Sequence, residues 1–132
     1  MPLSIQVLCW LIRIHFAMLL VHSAVHLYFT VFPDVTGFIT VGIAYILLPL
    51  TALLQLNRNP ARYSSLLLAL AGISGAFIHG LLYHFVIDSP DYVCYFGAHV
   101  NGQWFRLTAR GMALVDGTIV GMIMLLLIRR TA

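Results

Sequence analysis

Four apolar stretches, each close to or longer than the roughly 20 residues that cross a hydrocarbon layer, take up most of this 132-residue chain. They run from about Val7 to Phe32, Thr36 to Leu56, Tyr63 to Ile87 and Leu107 to Ile128. Backbone polar groups in lipid must be satisfied within the segment, so such stretches predict transmembrane helices. Phe32-Pro33-Asp34 and Asn57-Arg58-Asn59-Pro60 break the pattern with turn formers and a proline that cannot continue a helix, which predicts tight connections between antiparallel neighbours. The third connection, Asp88 to Arg106, is longer. Its Asn101-Gly102, flanked by Tyr95, Phe96, Val100, Trp104 and Phe105, predicts a small hairpin or an interfacial lid. The expected fold is all-α: one membrane domain over residues 1–132, a four-transmembrane-helix antiparallel bundle with a longer outer loop between helices 3 and 4.

Composition agrees. The chain is 61% hydrophobic and only 8% charged, with a mean hydropathy of +0.98, beyond what a soluble domain of this length tolerates. Lysine and glutamate are absent, and every basic residue other than histidine is arginine. The basic balance therefore reads as topology, not nucleic-acid binding. Arg13, Arg58, Arg62, Arg129 and Arg130 fall at one set of ends, and Asp34, Asp88 and Asp91 at the other. That pattern predicts cytoplasmic termini and a multi-pass protein of a bacterial inner membrane. The first stretch is too long for the core of a secretory signal and lacks a small-residue cleavage site before Pro33, so it is expected to be retained. Cys9 and Cys94 are expected about a bilayer apart, too far for a disulfide. No CxxC motif supports a thiolate metal site or attached haem.

Ionisable residues inside these stretches carry the functional signal, because in hydrocarbon they cost several kcal/mol unless paired or ligated. They are His15, His22 and His26 in the first stretch, His79 and His84 in the third, and Asp116 in the fourth. The three histidines of the first share one helical stripe. Counted from the outer ends at about 1.5 Å per residue, His22, His26, His79 and Asp116 share one level, with His84 nearer the surface. His15 is expected near the cytoplasmic boundary as a solvated group, and His84 beside Asp88. Asp116 is expected either in an active role or paired with His79 or Arg110. Span three carries Ala71, Gly72, Gly75, Ala76 and Gly80, and span four Ala109, Ala113, Gly117 and Gly121, small residues that let helices approach or leave room for a flat cofactor.

The leading expectation is a b-type cytochrome-like subunit of a larger electron-transfer complex, rather than a stand-alone enzyme. Its haem b, or a chlorin, would be bound by His79 with His22 or His26, with His84 nearby and Arg110 or Arg106 facing the propionates. The principal alternative is a copper, zinc or iron ion held by His22, His26, His79 and Asp116, with oxidase or hydroxylase-type chemistry. A quinone exchanging protons with Asp116 and a histidine, among Tyr28, Tyr45 and Tyr83, is compatible with the haem reading. A cofactor-free structural subunit is the remaining class. Expected partners are other integral membrane subunits and lipid. His79 to Asp88, with its Tyr83-His84 pair, is loosely similar to the haem-bearing helix in membrane anchors of quinone-linked dehydrogenases. It lacks their arginine and serine quinone pattern, and four spans differ from their usual three. Pro49 predicts a kink, and Trp10, Tyr63, Tyr92, Trp104 and Phe105 predict an interfacial aromatic belt.

Overall fold

The computed structural model describes residues 2–98 and 101–131, leaving His99 and Val100 of the third connection outside the described residues. Its fold is all-helical, 86% helical with no strand among the described residues. Four helices are long and apolar enough to cross a membrane: α1 (Leu3–Phe29), α2 (Val35–Arg58), α3 (Tyr63–Val86) and α4 (Gly102–Thr131).

α1 ends by turning sharply. Thr30 takes the left-handed conformation (φ 55°) and is the one non-glycine residue to do so among the described residues. Such a residue costs about 1–3 kcal/mol unless its surroundings enforce it. Here the Thr30 N–H donates to the carbonyls of His26 and Leu27, and the Val31 N–H folds back onto His26 O at 3.1 Å. Phe32-Pro33 then leaves the helix, and Asp34 opens α2 by accepting the Gly37 N–H at 2.7 Å. A side chain at Gly37 would sit 2.6 Å from Pro33 Cβ, so this tight entry requires glycine.

Two helices contain widened turns. In α2 the segment Val41–Leu47 is π-helical, and the Leu48 N–H reaches five residues back to Ile43 O. It precedes Pro49, which has no N–H to offer and would clash with a carbonyl in regular α geometry. The expected proline kink is thus taken up as a wide turn. Pro49 is fully buried, and a Cβ at Gly72 would lie 2.8 Å from Leu48 Cβ and Pro49 Cδ, so α2 and α3 touch where only glycine fits. α3 widens over Leu82–Val86, and Ser89 Oγ donates to Tyr83 O at 2.8 Å just beyond its end.

The third connection differs from the expected hairpin. Val93–Ala98 forms a 3-10 turn, and Asn101-Gly102 opens α4 five residues earlier than the hydrophobic pattern indicates. A Cβ at Gly102 would collide with the Phe96 carbonyl. The glycine thus serves a close backbone approach at a helix start. Phe105, expected in the interfacial belt, is fully buried, with its ring stacked 3.9 Å from that of Phe96.

All four helices contribute to one aliphatic cluster: Ile5, Leu8 and Ile12 of α1, Leu53 and Leu56 of α2, Leu66 and Ile73 of α3, and Ile119 and Ile123 of α4. At the other ends of α1 and α4, Val25, Phe29, Phe85, Val93, Phe96 and Phe105 form an aromatic cluster. The ionisable residues lie between these two clusters or within the second.

Candidate metal centre

His22 and His26 stand one turn apart on α1, and His84 comes from the widened turn of α3. Their Nε2 atoms converge: His22 to His84 is 3.1 Å and His22 to His26 is 3.0 Å. One ligand atom from each lies within 4.8 Å of the others.

The opposite edge of each ring is held by a hydrogen bond that assigns its tautomer. His84 Nδ1–H donates to Asp91 O at 3.0 Å, and His26 Nδ1–H donates to Val31 O at 3.2 Å, the carbonyl folded back by the left-handed turn at Thr30. A carbonyl can only accept, so in the neutral imidazoles Nε2 carries the lone pair. His22 Nδ1 meets Thr108 Oγ1 at 2.9 Å. That hydroxyl already has two backbone acceptors, Trp104 O at 2.9 Å and Phe105 O at 3.1 Å, so it receives the His22 Nδ1–H. With that assignment three nitrogen lone pairs face one another, a repulsion that a proton or a metal cation between them would relieve.

Tetrahedral ligation at metal–nitrogen bonds of 2.0–2.1 Å places the nitrogens about 3.3 Å apart, close to the two spacings from His22, while the His26 and His84 nitrogens lie within 4.8 Å of each other. Imidazole held through its far nitrogen by a carbonyl or hydroxyl is the usual setting of a metal-bound histidine. Phe105 closes one side, with its ring centroid 5.4, 4.9 and 5.5 Å from those of His22, His26 and His84. The same histidines line a cavity of about 290 Å³, so a coordination position can open onto it.

His79 and Asp116, the other two expected ligands, border this cavity without joining the cluster. Tyr45 OH donates to Ala76 O at 2.7 Å and accepts His79 Nδ1–H at 3.2 Å. The Tyr83 ring stacks on His79 at 4.4 Å. His79 Nε2 is buried and has no hydrogen-bond partner among the described residues. Asp116 pairs with His15, whose Nδ1 lies 2.7 Å from Asp116 Oδ1 and whose Nε2–H donates to Tyr45 O at 2.9 Å. His15 is thus fully buried instead of solvated, and Asp116 pairs with neither His79 nor Arg110.

His84 likewise bonds the Asp91 carbonyl, not Asp88, whose carboxylate accepts from Tyr95 OH. Arg110, expected beside a haem propionate, is exposed and lines a separate surface cleft with Trp104, Arg106 and Leu107. Of the expected tyrosines, Tyr45 lines the cavity, Tyr83 stacks behind His79, and Tyr28 accepts from Asn101 Nδ2 at the surface.

Thr108 and the carbonyls of Val31 and Asp91 escaped the sequence reading, and Phe105 was expected in the interfacial belt instead. Only Thr108 left a signal there, as a hydroxyl inside an apolar stretch within a turn of Arg110. Comparison with known proteins adds no relative: no family model, curated protein or solved structure matches the chain.

Proposed function

We propose that this chain is a multi-pass membrane protein carrying one transition-metal ion, of the copper, zinc or iron class, bound by His22, His26 and His84. The observation that carries the reading is the convergence of three Nε2 atoms whose rings are each tied at Nδ1 to an acceptor. Imidazole donors suit these metals. A metal ion there would act as a Lewis acid or, if copper or iron, as a one-electron centre toward a ligand entering from the cavity. His79 and Asp116 offer protonatable groups on the cavity wall.

The membrane setting rests on the four apolar helices and on large exposed apolar side chains such as Trp10, Leu20, Leu27, Val35, Leu107 and Leu114. We place the helices as an antiparallel bundle. The arginines at the ends of α2 and α3 support cytoplasmic termini, with the metal in the outer half. A chain with so little mass outside the helices implies partners in the bilayer, consistent with a subunit of an electron-transfer assembly.

The geometry favours an ion over the tetrapyrrole. Axial nitrogens of a haem lie about 4 Å apart with the macrocycle between them, whereas these nitrogens meet directly. The cavity of about 290 Å³ is also small for such a ring. Elemental analysis of the purified protein, read beside its reduced-minus-oxidised spectrum, tests the choice. Stoichiometric copper, zinc or iron without a haem band is expected; a haem or chlorin band would restore the cytochrome reading.

A further inference from the structure

The cavity beside the metal site has a character of its own. Its volume is about 290 Å³, roughly twice the 150 Å³ that accommodates benzene in an apolar protein cavity. The exposed residues on its wall are Ser23, Leu27, Phe32 and Phe38, so what opens it outward is mainly apolar and, in the membrane reading, faces lipid. Inside, Ala76 and Gly80 of α3 and Ala109 and Ala113 of α4 present little side chain, leaving a slot bordered by the Phe77 and Tyr45 rings. His79, one of the lining residues, has a buried ring nitrogen, Nε2, without a partner among the described residues.

The hydrogen bonds around His79 define what that atom needs. Tyr45 OH spends its proton on Ala76 O and so receives His79 Nδ1–H, which leaves a lone pair on Nε2. A buried acceptor without a donor is unfavourable. An apolar guest carrying a hydroxyl would supply the donor while filling the slot with hydrocarbon.

The geometry points to this cavity as a binding site for a lipid-soluble hydroxyarene, a phenol or hydroquinone, which enters from the membrane between α1 and α2 and donates its O–H to His79 Nε2. A ring fits the slot between the small residues, and the Asp116 carboxylate on the same wall offers an acceptor for a second hydroxyl. This assignment deepens the metal-centre reading by naming the class of molecule its open position would meet. The hydrogen bond to His79 itself does not require the metal.

The test uses the full chain in lipid nanodiscs, with 4-tert-butylphenol and its methyl ether as probes and calorimetry as readout. Saturable one-to-one binding of the phenol is expected, with the ether about tenfold weaker because it has no proton to donate. His79→Phe should bring the phenol down to the level of the ether at unchanged metal content, and Ala113→Phe should block both probes. His84→Ala should lose the metal and keep phenol binding. Equal affinity for phenol and ether, no saturable phase, or indifference to His79→Phe would overturn the assignment. A metal-free wild-type protein that still discriminates the probes would remove the metal centre and leave this site standing.

Discussion

The two ends of this molecule solve different problems with the same four helices. Where Ile5, Leu8, Ile12, Leu56, Leu66, Ile73, Ile119 and Ile123 meet, the helices are regular and the packing is aliphatic, with Ser65 satisfied by Gln55 at 3.0 Å. Around His22, His26 and His84 there are two widened turns, a left-handed threonine, a 3-10 turn and buried polar groups. Irregular backbone clusters where carbonyls and rings must be aimed rather than merely packed. The regular end can supply rigidity while the irregular end aims three imidazoles at one another.

If that division is right, substitutions at the two ends should move different observables. The largest effect belongs to His84→Ala, which removes one of the three proposed ligands; bound metal should fall from one equivalent to near background, with helical content by circular dichroism unchanged. Next is Leu56→Ala at the aliphatic end. A fully buried leucine there should cost about 2–5 kcal/mol in denaturation assays, while metal stoichiometry stays intact. Loss of metal from Leu56→Ala alone would dissolve the distinction.

Thr108→Val is smaller and sharper. It keeps the shape and removes the oxygen that receives His22 Nδ1–H, so a competitive chelator titration should show metal affinity lower by about 10–100-fold. The smallest effect is expected for Gly121→Ala. Nothing lies within 4 Å of a Cβ at Gly121, so the substitution should be neutral or stabilising by up to about 1 kcal/mol, the helix propensity gain. Gly72→Ala, pressed against Pro49, makes the instructive contrast and should destabilise by about 1–3 kcal/mol.

The regular end was the more legible in the sequence, because long apolar runs between proline-bearing breaks specify helices with little else needed. His22 and His26 were legible too, through their shared stripe. His84 was seen only in part. Counting residues along an ideal helix put it near the surface beside Asp88, without the turn and 3-10 segment that bring the Asp91 carbonyl over it.

The His15–Asp116 pair shows how a boundary error propagates. Reading α4 from Leu107 made Asp116 about 7.5 Å too shallow. From the observed ends, His15 lies fourteen residues before Phe29 and Asp116 fourteen after Gly102, about 21 Å along each helix. Equal depth explains their pairing. The carbonyl partners of the imidazoles have no sequence signature, since every residue carries one.

X-ray absorption at the metal edge of the purified wild-type protein tests the central claim most directly. The account predicts one metal per chain with three imidazole nitrogens at about 2.0–2.1 Å and a remaining position filled by a light atom. A porphyrin scattering pattern, or a preparation offered copper, zinc and iron that retains none of them, would contradict it.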